Sequence, residues 1–209
     1  MSKVFKSFMS MVITAILFAS LTAIASAQTP PGYKHESKTV EYSCNAVAKL
    51  GPTPILPLNF DVDIFIEGDV PTSVNPGAQF KLLNASATVT VPGDVISVLD
   101  NLLGWDEVTG EVTEFIVNSD NLPQSINAAH PTPIPIPVTP VPSSGDLVFT
   151  VPGSGGIDVG PFTAGSSGVI NISSGDVSAK FVNPSGSLFS VDANCQPKGD
   201  STLTTIPIN

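Results

Sequence analysis

The chain of 209 residues carries 18 acidic against 8 basic side chains, a net charge of −10, and no arginine. Nucleic-acid binding needs a basic footprint, and between Lys81 and Lys180 ten acids but no further Lys or Arg occur, so that function is excluded; an anionic membrane would repel the same surface. The 20 Pro and 17 Gly would suit a disordered chain, but 42% of residues are apolar and fall in alternating runs, which points instead to an all-β domain with many turns.

Residues 1–27 have the three parts of a secretory signal. Lys3 and Lys6 form a positive flank, Met9 to Ile24 an apolar run, and Ala25-Ser26-Ala27 a small-x-small cleavage site that leaves Gln28 as the mature start. The run is shorter than the roughly 20 apolar residues of a transmembrane helix. Loss of Lys3 and Lys6 leaves a mature net charge of about −12. The expected organisation is a signal peptide (1–27), a flexible segment (28–37) and a single β domain (38–209) in a released protein with no membrane span.

In chain order, residues 38–48 read as a strand. Phe60, Val62, Ile64 and Ile66 form the inward face of the next, with Asp61, Asp63 and Glu67 outward, because a period of two marks a half-buried strand. Pro71 to Gly77 carries turn chemistry, and Ala85, Ala87, Val89 and Val91 restore the alternation. Val95, Leu99, Leu102 and Leu103 then share one helical face, with Asp94 as N-cap and Gly104 as stop. This predicts a short helix over one open end of the fold. Residues 111–117 return to strand.

Pro131, Pro133, Pro135 and Pro137 occupy alternate positions, so all four remove N–H donors from one edge of an extended segment. Such a strand belongs at a sheet border; a polyproline ligand is the other reading. Leu147, Phe149 and Val151 make a further strand. The Gly- and Ser-rich stretch 152–168 predicts a long mobile loop or hairpin. Val169 to Ile172 and Val177 to Val182 read as two strands about Ser174-Gly175, followed by Phe189 to Cys195 and Leu203 to Ile208. About nine strands with regular turns match an immunoglobulin-like β-sandwich.

Cys44 and Cys195 both fall on apolar strand faces near the two ends of the mature chain. An exported chain meets an oxidising compartment, so one core-facing disulfide is expected. In the chain-entropy view a loop of this length contributes about 5 kcal/mol.

The residues offer little chemistry. No G-x-S-x-G elbow occurs, and a Ser-His-Asp hydrolase would need His35, in the N-terminal segment, or His130, before Pro131. No cofactor motif occurs, and the His and Cys residues lack metal-ligand spacing. Asp61 and Asp63 share an outward face; they read as a solvated pair, a calcium site or a glycosidase pair. Trp105, at the end of the predicted helix, reads as a core cap or as an anchor for a partner or sugar. Phe65, on an outward strand face, poses the same alternative.

The order of several features resembles an uncharacterised family of secreted immunoglobulin-like domains, mainly actinobacterial. Those features are the aromatic-x-Cys strand Tyr42-Ser43-Cys44, the Pro-rich strand leading to Pro142-Ser143-Ser144-Gly145, Pro152-Gly153 before a Gly-rich loop, and the closing strand Val191 to Cys195. The resemblance spans about residues 38–208 and implies fold and export, with no activity and no site residues. The expected function is therefore a secreted or cell-surface, non-enzymatic module that binds a protein or cell-envelope component. The alternative is a carrier of a small apolar ligand between sheet and helix, near Val95, Leu99 and Leu102; a hydrolase ranks third.

Overall fold

The computed structural model describes residues 29–209 except Ser187, and leaves out the side chains of Leu99 and Leu102. The segment read as a signal peptide lies outside the described residues. Among the described residues the chain is all-β with one helix: β1 (Tyr33–Leu50), β2 (Thr53–Pro71), β3 (Gln79–Val91), α1 (Gly93–Leu103), β4 (Glu107–Ser119), β5 (Gln124–Asn127), β6 (Ile134–Pro140), β7 (Leu147–Val151), β8 (Ile157–Thr163), β9 (Gly168–Val182), β10 (Phe189–Pro197) and β11 (Thr202–Ile208).

The strands form one sheet in the order β5-β4-β9-β10-β1-β2-β3-β7, with β11 paired to β9, β6 to β4 and β8 to β3. The sequence predicted about nine strands in an immunoglobulin-like sandwich; the described chain has eleven strands in a single sheet folded upon itself. The frame is the β1–β2 hairpin, paired from Tyr33↔Pro71 to Leu50↔Thr53. At about 3.3 Å per residue, an 18-residue strand reaches about 60 Å. That length lets one hairpin wall two cores. The larger holds Tyr42, Ile64, Ile96, Trp105, Ile136 and Phe149. The second is built on Phe80, Phe162, Ile170, Ile172 and Ile206, with the Phe80 and Phe162 rings stacked at 5.6 Å.

The alternation predicted for β1 and β2 is observed: Val40, Tyr42, Cys44, Val62, Ile64 and Ile66 are buried, and Thr39, Glu41, Asp61, Asp63 and Phe65 are exposed. Four local expectations need correction. First, the strand begins at Tyr33, so residues 33–37 are paired with β2 instead of forming a flexible segment. Second, the stretch predicted as a mobile loop or hairpin contains β8, which pairs with β3 and whose Val159 and Phe162 are buried; Gly160-Pro161 between them hides the period. Third, β9 is one strand where two were predicted. Gly175 makes no turn: a Cβ there would lie 2.9 Å from both Asn118 Nδ2 and Ile116 Cγ2, so glycine lets β4 approach closely. Fourth, Asp94 is not the N-cap of α1. Pro92 holds that position, and the Gly93 N–H donates to Asp146 Oδ1 at 2.9 Å. Gly104 stops the helix at φ 63°, its N–H donating to the Asp100 carbonyl at 2.8 Å, as expected.

The proline strand is a border strand, as predicted, but it begins at Ile134, so Pro131 and Pro133 lie outside it. β6 pairs with β4, and Thr109 Oγ1 donates to the Ile136 carbonyl at 2.8 Å. Its other edge, where Pro135 and Pro137 lack donors, runs beside β7 without a hydrogen-bonded ladder among the described residues. The folded sheet therefore has a seam, with β5 and β6 on one bank and β7 and β8 on the other.

Candidate functional site

The interior of the folded sheet contains two adjoining cavities of about 80 Å³ each. Ile64, Val89, Val112 and Val177 wall both. These residues face inward because their strands alternate, and because β2, β3, β4 and β9 belong to opposite walls of the same fold. One cavity lies toward the second core, between residues such as Leu82, Val117 and Ile172. The other lies under the helix, where Val95 and Ile96 face Leu58 and Phe60 of β2, with Phe149 and the Cys44–Cys195 bridge completing the wall.

The disulfide joins directly opposed residues of β1 and β10, Cα–Cα 4.0 Å, across a separation of 151 residues. Trp105 is 1% exposed and lines the cavity under the helix. It is a core residue, which corrects its reading as a surface anchor. Its Nε1 is buried with no hydrogen-bond partner among the described residues, a cost of about 1–3 kcal/mol for a desolvated donor. Phe65 is 39% exposed on the outer face, between Thr39 and Thr88. Val95 is buried at the expected place; the side chains of Leu99 and Leu102 lie outside the described residues.

The lining of the first cavity extends to the junction of β1 and β11. β10 covers β1 only from Tyr42 onward; the earlier part of that edge faces β11. Glu36 and Lys38 on one bank, and Leu203 and Thr204 on the other, line the cavity there. Lys38 ties the banks together: Nζ donates to the Thr202 carbonyl at 2.7 Å and to Asp200 Oδ2 at 2.8 Å. Lys38 thereby holds the Asp200 carboxyl well below its usual range.

Asp61 accepts from Lys198 Nζ at 2.8 Å, and Glu41 from the same ammonium at 2.7 Å. The two carboxylates push the lysine pKa up, and the lysine lowers that of Asp61. The ammonium thus engages Asp61, one of the two carboxylates of the Asp61–Asp63 pair, together with Glu41. Among the described residues, no group of three or more His, Cys, Asp or Glu is placed to hold a metal.

His35 is not in a frayed tail. It lies in β1 opposite Asp69, with Nδ1 3.2 Å from Asp69 Oδ1 and Nε2 3.6 Å from Glu67 Oε2. Both ring nitrogens thus face carboxylates, and neither faces a serine hydroxyl. Asp69, only 3% exposed, also accepts from Asn84 Nδ2 at 2.8 Å and Thr29 Oγ1 at 3.3 Å. Burial raises its pKa, but the hydrogen bonds from Asn84, His35 and Thr29 outweigh that and lower it. Sequence reasoning missed this cluster because its members are spread over 55 positions; in the structure Asn84 stands out by its left-handed φ of 52° within β3. His130 is exposed on the turn between β5 and β6.

Residues 41–204 match a family described as one of unknown function (DUF6801). The chain is similar in fold to a crystal structure described as that of a "Putative membrane anchored protein from Corynebacterium diphtheriae", with a TM-score of 0.54 at 16% identity. The match covers 83% of this chain but 37% of the other, so the chain spans well under half of that protein's length. No curated protein matches the chain. Among the described residues, no helix is long and apolar enough to cross a membrane.

Proposed function

The chain belongs to this family of unknown function, and from that premise we propose that it is an exported, non-enzymatic module of the cell surface or its surroundings that carries a small apolar ligand in its interior. The observation that carries the reading is the pair of adjoining cavities walled by apolar side chains. Close packing is the rule in protein interiors, and a cavity of about 150 Å³ lined by aliphatic and aromatic groups is enough to hold benzene. Two chambers of about 80 Å³ side by side suit a short acyl or branched aliphatic group. The disulfide fits an oxidising location outside the cytoplasm, and the similarity to a protein described as membrane-anchored fits the cell surface.

Docking of a protein or envelope component through Trp105 and Phe65 has less support, since Trp105 is in the core and Phe65 alone remains at the surface. A His-based hydrolase has less still, since both nitrogens of His35 are turned to carboxylates. Native mass spectrometry of protein purified without detergent from the cells that produce it tests the carrier reading. The expected result is a second population heavier by the mass of a small apolar compound. A single bare mass under conditions that preserve known lipid complexes would reject it.

A further inference from the structure

One end of the molecule is formed by the β1–β2 turn and the connection from β9 to β10. They are held together there by the Gly51 N–H, which donates to the Leu188 carbonyl at 2.9 Å. Three aliphatic side chains project from this end: Leu50 and Ile55, each 43% exposed, and Leu188, 77% exposed. Exposure of large aliphatic side chains has a cost in water. The two stretches of chain that form it are also free of charge. No Asp, Glu, Lys, Arg or His occurs from Leu50 to Phe60 or from Phe181 to Val191, in a chain with 26 charged residues. Of the four charges that bound these stretches, Lys49, Asp61, Lys180 and Asp192, the first and last neutralise one another in an ion pair.

We propose that this end docks on the surface of an electrically neutral lipid bilayer, with Leu50, Ile55 and Leu188 entering the interface. Three side chains on two separate turns offer far less than the roughly 1,200 Å² that a stable protein complex buries, which argues against a second copy or a protein partner. Isolated aliphatic groups at or beside turns can each enter the headgroup region without a matching surface opposite them. The strong negative charge of the rest of the chain sets the lipid class: anionic bilayers repel it, and neutral ones do not. Leu58 and Phe60, which follow this tip along β2, wall the cavity under the helix, so docking would bring that chamber toward the lipid. The inference does not depend on that chamber being filled.

The test is sedimentation of the exported protein with phosphatidylcholine vesicles. The wild type is expected to pellet with the vesicles equally at low and high salt. Leu50→Ser, Ile55→Ser and Leu188→Ser together should weaken partitioning by roughly tenfold or more, while Phe65→Ser, on the outer face, leaves it unchanged. Equal circular dichroism of the triple variant and wild type establishes that the fold is intact, and Leu188→Ser alone, in an exposed turn, gives a smaller loss in the same direction. Wild-type protein that stays in the supernatant, a triple variant that pellets normally, or binding abolished by salt overturns the proposal. So does a wild-type dimer in size-exclusion chromatography that Leu188→Ser converts to monomer.

Discussion

Gln124 closes one end of the sheet seam by presenting its side-chain amide to the main chain of Thr163 as a neighbouring strand would. Its Nε2 donates to the Thr163 carbonyl and its Oε1 accepts from the Thr163 N–H, both at 3.0 Å. The amide links β5 to β8 where no ladder joins the two banks among the described residues. At the other end of the seam, the proline edge of β6 faces β7. The fold thus closes around its cavities with one side-chain clamp and one edge that has no donors at Pro135 and Pro137.

Gln124→Ala should therefore lower stability by about 2 kcal/mol, the sum expected for two hydrogen bonds. Gln124→Glu should cost at least as much, because the carboxylate keeps one acceptor, loses the donor and faces a carbonyl. The midpoint of urea unfolding at neutral pH measures both.

The bridge between Cys44 and Cys195 closes a separation of 151 residues. Replacing both with Ser should destabilise the chain by about 2–5 kcal/mol. The single variants should be no more stable than the double variant in urea unfolding.

Tyr42 is fully buried, its hydroxyl donating to the Gly175 carbonyl at 3.3 Å. Burial, with Asp176 adding and Ser174 opposing, pushes its pKa up from 10.0 to about 12. The folded state holds the phenolic proton harder than the unfolded chain does. The resulting stability is complete below pH 10 and is lost as pH rises from 10 to 12, by about 2–3 kcal/mol. Tyr42→Phe should show no such loss, so wild type should weaken relative to the variant across that window.

Asp69 gives the opposite sign. Its carboxyl pKa is lowered from 3.8 by the groups that donate to it, so its stabilisation is present above pH 3.8 and is lost as pH falls below it. Asp69→Asn should be less stable than wild type by about 2 kcal/mol at neutral pH. The difference should shrink on acidification through that range, as followed by urea midpoints at several pH values.

Strict period-two strands were legible in the sequence because one face meets the core and the other meets water. Tyr42, Cys44, Ile64 and Ile66 declared themselves in this way, and the two cysteines on such faces could be paired. The border role of the proline strand followed from chemistry alone, since Pro has no N–H. Val159 and Phe162 were hidden because Gly160 and Pro161 shift the alternation between them. Gly175 was misread because a glycine that admits a neighbouring strand and one that makes a turn look alike without the neighbour. The cavity under the helix was partly legible through Val95 and the amphipathic helix. Its wall from Val112 and Val177 depends on how the sheet folds back, which no local pattern encodes.

The sole tryptophan of the chain, Trp105, lines the cavity under the helix and offers the most direct test of an interior that holds apolar ligands. Titrating the protein with a short-chain ester while following its emission should give a saturable change. Val112→Phe, which adds bulk to a residue shared by both chambers, should abolish that change while leaving the fold intact by circular dichroism. A linear, unsaturable response, or a saturable one that is unaltered in Val112→Phe, would contradict the account.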